Sequence, residues 1–304
     1  MSRTTPKVLV LLATFNGGKF VADQIASVLA QRDVDASIFV RDDGSVDETK
    51  KILEDLESKF PDKIVIIRNS EFSAPGAAKN FFNLIIAGSD ADCDFVAFCD
   101  QDDVWLPNKL IEAVLALQQN GADCYSSSST LMWDYKKFRF NKKETRRVEF
   151  DYFFESASHG CTFVFSRNVL GQFAKFLTSN AYALKDIKFH DWLLYFWAKS
   201  SHLKWFYDER SFILYRQGVN NVIGANSGFG ALIKRVKLLN KGFIRLELLR
   251  YLELFPEQRG SEIGARVFRW NRIDRIFLAI NALKFRSRRT HAIGLALCIL
   301  TIGM

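Results

Sequence analysis

A chain of 304 residues with 48% hydrophobic side chains, 28 Phe and only 5 Pro can bury a large core, which excludes a largely disordered protein. The net charge of +8 is uneven: residues 1–130 hold 12 Lys+Arg against 20 Asp+Glu, 131–230 hold 15 against 9, and 231–304 hold 15 against 5. Five cysteines with no CxxC pair exclude a disulfide framework and a thiolate zinc site, and no apolar run reaches the ~20 residues that cross a bilayer.

In chain order, Val8–Ala13 is a continuous apolar run, as in a strand buried on both faces, and Thr14-Phe15-Asn16-Gly17-Gly18 ends it in a turn. The run is too short for the apolar region of a secretory leader, so a cytoplasmic protein is expected. Val21–Ala30 has helical spacing, and Ser37–Arg41 is a short strand running into Asp42-Asp43-Gly44-Ser45. Ser45-Val46-Asp47-Glu48 has the form of a capping box opening a helix with Ile52, Leu53, Leu56 and Phe60 on its apolar stripe. Ile64–Ile67 predicts a third strand, Ala77–Ala87 a third helix, Asp94–Phe98 a fourth strand that delivers Asp100-Gln101-Asp102-Asp103, and Lys109–Gln119 a further helix. Beyond Asp123 the pattern is less regular. Lys136–Arg147 reads as a basic exposed loop or strand pair, Phe163–Phe165 as a strand and His190–Ala198 as an aromatic helix. From about Phe229 the chain turns to helices rich in Leu, Ile and Arg. There Ile273, Ile276, Phe277, Ile280 and Leu283 form one apolar stripe, with Arg269, Arg272 and Arg286 off it.

Strand–helix alternation at this spacing specifies an α/β fold with a mostly parallel sheet flanked by helices, and such sheets bind ligands beyond the carboxyl ends of their strands. Thr14–Gly17, Asp42–Ser45 and Asp100–Asp103 all stand at strand exits and should converge on one cleft. Three carboxylates within Asp100–Asp103 repel one another unless a cation sits among them, and oxygen ligands suit Mg2+ or Mn2+. The plainer alternative is a solvated acidic turn. Asp42 and Asp43 either shape a strand-to-helix turn or accept the imide N–H of a uracil or thymine; Thr14, Phe15 and Asn16 either turn the chain or touch the same nucleotide. Asp191 either caps its helix or acts as a general base toward a sugar hydroxyl. His159, Trp105, His190 and Trp192 are candidates to line an acceptor pocket, with a structural histidine the equal alternative for His159. Arg216 is a candidate to neutralise a diphosphate leaving group, or else part of an ordered surface loop.

Ala13-Thr14-Phe15-Asn16-Gly17, Arg41–Thr49 and Asp100–Leu110, in that order, resemble the motifs of the family 2 glycosyltransferases with the GT-A fold, and the resemblance spans residues 6–225. His190-Asp191-Trp192 and the Tyr215–Gly224 loop resemble the bacterial rhamnosyltransferase-like branch, which builds O-antigen and other surface polysaccharides. The resemblance implies a GT-A catalytic domain over 1–228, with a nucleotide-binding half (1–123) and an acceptor-binding half (124–228). A basic, helical, membrane-associated region (229–304) follows. It implies that Thr14, Phe15, Asn16, Asp42, Asp43, Gln101 and Arg216 serve a nucleotide-sugar donor, dTDP-rhamnose before a UDP-sugar. Asp100 and Asp102 would form the DxD motif that holds Mg2+ or Mn2+. Asp191 would be the base of an inverting transfer to a saccharide acceptor, a lipid-linked one. Gly218 and Val219 stand where relatives often carry His-Gly, which removes the loop histidine.

A dinucleotide-binding dehydrogenase is disfavoured by the lack of GxGxxG after the first strand, and a P-loop enzyme by the lack of GxxxxGK[ST]. A sugar nucleotidyltransferase is the nearest enzymatic rival, and a non-catalytic membrane-associated glycan-binding scaffold the rival of another class. The expected partners are an anionic membrane surface, on the inner face of the cytoplasmic membrane, and no nucleic acid; self-association into a homo-oligomer is left open.

Overall fold

The computed structural model describes residues 5–133, 135–143, 148–217 and 242–301. The chain forms two compact units, each discontinuous in sequence. One comprises Met1–Lys143, Ser158–Asp191 and Leu203–Val219; the other Glu144–Ala157, Trp192–His202 and Asn220–Met304. The 228/229 boundary, the change of character near Phe229, and Gly218 and Val219 lie outside the described residues.

The first unit begins with strand β1 (Lys7–Thr14), helix α1 (Val21–Leu29), β2 (Asp35–Asp42), α2 (Thr49–Lys59), β3 (Ile64–Ile66), α3 (Ala77–Gly88) and β4 (Phe95–Asp100). These four strands lie in the order β3-β2-β1-β4 and pair in parallel. The unbroken apolar run of β1 follows from cover on both faces. Val8, Val10 and Leu12 join the core cluster with Val21, Ile25 and Val28 of α1. On the other face Leu9 and Leu11 meet α3 at Gly88, where a Cβ would lie 2.9 Å from Leu9 Cδ2. β2 starts two residues earlier and β4 runs two residues further than the sequence pattern suggests, because ladder pairing with β1 extends both. The expected capping box at Ser45–Glu48 does not form. Ser45 is drawn into the turn before α2, and Asp47 Oδ1 accepts from Thr49 N at 3.0 Å instead.

The unit continues with β5 (Val104–Trp105), α4 (Lys109–Asn120), β6 (Cys124–Trp133), β7 (Lys137–Asn141), β8 (Val164–Ser166), α5 (Arg167–Ser179), the start of α6 (His190–Ser200) and β9 (Trp205–Arg216). α4 stops at Gly121, whose φ of 53° is the left-handed cap that ends many helices. β8 runs antiparallel between β4 and β6, β9 lies parallel to β6, and β5 and β7 add antiparallel to β9 and β6. The sheet is thus parallel in its first four strands and mixed in the rest.

In the second unit, Trp192–Ser200 of α6 joins helices at Phe243–Leu254, Pro256–Gly260, Glu262–Arg269, Arg272–Ile280 and Arg289–Thr301. Its core is aromatic: Phe196 lies 5.4 Å from both Phe153 and Tyr251, and 5.1 Å from Phe255. Buried Asp151 accepts from Tyr195 OH at 2.8 Å. Side-chain caps open two of the helices, Ser261 Oγ accepting from Gly264 N at 3.1 Å and Asn271 Oδ1 from Asp274 N at 2.9 Å. Among the described residues no helix is long and apolar enough to cross a membrane.

Candidate active site

Strand register builds the site. β1 pairs Thr14 with Asp42 of β2 and Ala13 with Asp100 of β4, so the three polar exits share one sheet edge. The turn after β1 is held from both sides. Gln101 Oε1 accepts from Phe15 N at 2.8 Å, and Gln101 Nε2 donates to Phe15 O at 2.9 Å. Asn16, at φ 48°, donates its N–H to Ser45 Oγ at 2.7 Å, and its Oδ1 accepts from Val46 N at 2.9 Å. At Gly17 a Cβ would come within 2.2 Å of Gln101 Oε1, so a side chain there would displace the amide that holds the turn.

The two carboxylates of the β2 exit have different surroundings. Asp42 accepts from Thr14 Oγ1 at 3.1 Å, from Ser45 N at 2.8 Å and from Ser45 Oγ. Asp43 pairs with Arg41 at 3.3 Å and accepts from Gly76 N at 2.6 Å. Both shape the turn and both contact Thr14, Asp42 through Thr14 Oγ1 and Asp43 by donating its N–H to Thr14 O at 2.9 Å.

At the β4 exit, burial, Asp102 and Asp191 together push the Asp100 carboxyl up to about 7, and burial raises Asp102 as well. Asp103 is fully buried, and burial with its two acidic neighbours pushes its carboxyl well up. Its Oδ1 accepts from Arg216 N at 3.0 Å, while among the described residues its buried Oδ2 has no hydrogen-bond partner. Ligand-capable atoms of Asp100, Asp103 and Cys161 lie within 4.8 Å of one another. Burial holds the Cys161 thiol well above its ordinary value, hence protonated, so the usable donors are carboxylate oxygens. That set, with an orphaned buried oxygen and mutually repelling charges, fits a hard divalent cation and not a thiolate-bound one.

Lys109 and Cys161 are two further neighbours of this cluster. Lys109 is buried with its ammonium 3.6 Å above the Trp105 ring, and burial pulls it down to about 8. Cys161, in the His159-Gly160-Cys161 segment that precedes a strand and is a candidate to line an acceptor pocket, stands instead against Asp100 and Asp103. Trp105, a candidate acceptor contact, is core: it is 2% exposed. Arg216 is also buried. Its Nε donates to Asp102 O at 2.7 Å, NH2 to Tyr135 OH at 2.5 Å, and Phe20 and Tyr135 lie 4.1 and 4.4 Å from the guanidinium. Its contacts tie β9 to the acidic turn.

α6 opens at His190, which places Asp191 where its charge acts on Asp100. His190 itself is an aromatic packing group. It stacks on Phe81 at 3.8 Å and 16°, meets Phe98 edge-on at 5.2 Å, and is held down to about 3 by burial. His159 stacks on Tyr215 at 4.4 Å, contacts Ser129 Oγ through Nδ1 at 3.2 Å, and is lowered to about 4 by burial, then by Lys143. Both rings are neutral. Trp192 is buried in the second unit, donating to Tyr152 O at 2.8 Å. Of the four candidate acceptor residues, Trp105, His190 and Trp192 are thus spent in packing, since large aromatic surfaces are more stable buried.

Residues 9–176 match the family model described as glycosyl transferase family 2. The chain is 34% identical over 95% of its length, and 99% of the relative's, to the "dTDP-rhamnosyl transferase RfbG" of Shigella flexneri. It is 25% identical, over 55% of its length and 63% of the relative's, to the "UDP-Glc:alpha-D-GlcNAc-diphosphoundecaprenol beta-1,3-glucosyltransferase WfgD" of Escherichia coli. Among solved structures, a mannosyltransferase from Pyrobaculum calidifontis in complex with GDP-Man and Mn2+ superposes with a TM-score of 0.53, covering 99% of this chain and 87% of that one. S. aureus TarS 1-349 in complex with UDP-GlcNAc gives 0.50, covering 96% and 79%. At 14% identity these two establish the fold, an α/β sugar-nucleotide transferase layout with C-terminal helices.

Proposed function

Because this chain belongs to glycosyl transferase family 2 and is a glycosyltransferase, we propose that it transfers rhamnose from dTDP-rhamnose, with inversion, to a lipid-linked saccharide in bacterial surface-polysaccharide synthesis. The observation that carries the reading is 34% identity to a dTDP-rhamnosyl transferase across nearly the full length of both chains. It is supported by the shared sheet edge of Thr14, Asp42 and Asp100.

In this reading Thr14, Phe15, Asn16, Asp42, Asp43 and Gln101 receive the nucleotide. Asp100 and Asp102 would hold Mg2+ or Mn2+, with the buried Asp103 carboxylate beside Asp100 as a further oxygen donor, and the ion would neutralise charge on the departing dTDP. Arg216 serves indirectly, by holding the turn that carries these carboxylates. Asp191 takes the proton of the acceptor hydroxyl as that oxygen bonds to the anomeric carbon. The C–O bond to the diphosphate breaks on the opposite face, and its electron pair leaves with dTDP. One base and no protein nucleophile make this a single displacement. The enzyme works at the inner face of the cytoplasmic membrane, where a lipid-linked acceptor is presented. The nucleotidyltransferase and scaffold alternatives have no support beside the family assignment.

The test is turnover of dTDP-rhamnose, compared with UDP-hexoses, by the wild type and by Asp191→Asn. The variant should lose at least about 10²-fold in turnover while binding dTDP-rhamnose nearly as tightly. Wild-type turnover in the variant overturns the base assignment, and turnover of a UDP-hexose alone overturns the donor.

A further inference from the structure

The apolar stripe of helix Arg272–Ile280 faces solvent. Its packed face is Asp274, Leu278 and Ala279, whereas Ile273 is 74% exposed, Ile276 44% and Ile280 76%, and Leu283 just beyond is 52% exposed. Phe277 leaves the stripe, capped by the Arg266 guanidinium 3.7 Å from its ring. The neighbouring helix Arg289–Thr301 is tied to it by Arg275 Nε, which donates to Ile299 O at 2.7 Å. That helix buries Ala292, Leu295 and Ile299 and leaves Ile293, Leu297 and Leu300 at 61%, 57% and 47% exposure. Two packed helices therefore each hold an aliphatic stripe in water, an arrangement that marks an interaction surface.

Charge identifies the occupant. Residues 265–304 contain eight Lys+Arg and one acidic residue, Asp274. Asp274 is 2% exposed and consumed by Arg266 at 3.2 Å and Arg269 at 2.9 Å. Arg272, Lys284 and Arg289, beside the stripes, are exposed, and the one acidic residue of this segment is already held by Arg266 and Arg269. A second copy of the same face would bring uncompensated cations together, which disfavours self-association. An anionic bilayer accepts both the aliphatic chains and the cations. A 13-residue helix is about 20 Å long against a hydrocarbon core of about 30 Å, so it lies along the surface.

We propose that the paired helices Arg272–Ile280 and Arg289–Thr301 lie on an anionic membrane surface, with Ile273, Ile276, Ile280, Ile293, Leu297 and Leu300 entering the acyl boundary and Arg272, Lys284 and Arg289 meeting the headgroups. This deepens the membrane-surface reading above and rests on it, though not on the choice of sugar.

The test floats the full-length protein with vesicles of phosphatidylglycerol and phosphatidylcholine, and with phosphatidylcholine alone. The wild type should float with the anionic vesicles and detach as salt is raised. Ile273→Ser/Ile280→Ser/Leu297→Ser should weaken partitioning at least about tenfold, and Arg272→Glu/Lys284→Glu/Arg289→Glu should remove the preference for anionic lipid. Turnover of dTDP-rhamnose without vesicles should stay at the wild-type level in both variants, so loss of turnover in the wild type itself speaks only to the catalytic reading. Equal flotation with neutral vesicles, or flotation of the serine variant like the wild type, overturns the proposal. So does a wild-type dimer that the serine variant converts to a monomer in light scattering.

Discussion

Gly160 has no room for a side chain: a Cβ would lie 2.9 Å from Asp191 Cβ and 3.0 Å from His190 Nε2. Gly160→Ala should push Asp191 off its position and lower kcat by about 10²-fold, since a misplacement of about 1 Å is that costly. The residues proposed to receive the nucleotide stand at the ends of β1 and β2 or in the turns after β1, β2 and β4, and not against Gly160, so the Kd for dTDP measured calorimetrically should hardly move. The neutral His190 makes a separate prediction. Its folded-state value of about 3 lies below the ~6.5 of an unfolded histidine. Above pH 6.5 neither state is protonated. As pH falls below it, the unfolded chain binds a proton that the folded ring refuses, and stability drops. His190→Phe, which keeps an aromatic ring against Phe81, should therefore gain on the wild type between about pH 6.5 and 4, by at most about 1.4 kcal/mol per pH unit. Comparing melting curves of the two proteins cancels the carboxylates common to both; parallel curves would refute the assignment.

Among the elements, the joint between β9 and the Asp100–Asp103 turn is the one on which the site depends. Arg216 N donates to Asp103 and its Nε to Asp102 O, while Phe20 and Tyr135 hold the guanidinium. Arg216→Ala should cost about 2–4 kcal/mol in urea unfolding, from the lost charge-assisted hydrogen bonds and ring contacts. It should also raise the metal concentration needed for half-maximal turnover, because the turn carrying Asp100 and Asp102 loosens. If the guanidinium acted on the diphosphate directly, stability would stay unchanged and the donor KM alone would rise. The motif around Arg216 was legible in the chain; its inward course was not, because Phe20 and Tyr135 are supplied from far away in sequence.

On the scale of the whole molecule, charge is sorted along the chain, with an acidic first 130 residues and a basic last 74. The acidic part supplies carboxylate oxygens under burial and mutual repulsion, so chelation should remove at least about 10²-fold of turnover. Mn2+ or Mg2+ should restore it, with no corresponding change in the far-ultraviolet circular dichroism. Turnover that persists in a chelator would show that the repulsion among Asp100, Asp102 and Asp103 is met by protonation instead.

The sequence by itself determined the strand exits, the Asp100–Asp103 turn, the base candidate Asp191 and the aliphatic stripe after residue 270, because periodicity and turn residues are local and leave their marks in neighbouring positions. What only the tertiary structure decided was direction and company. Trp105, His190 and Trp192 were drawn inward because aromatic burial outweighs exposure to a ligand surface. Cys161 and Lys109 reached the acidic cluster through long-range packing of β4, α4 and the segment before β8. Ile273, Ile276 and Ile280 turned outward because Asp274, Leu278 and Ala279 made the tighter seam, and no local pattern reports which of two faces a neighbouring helix will take.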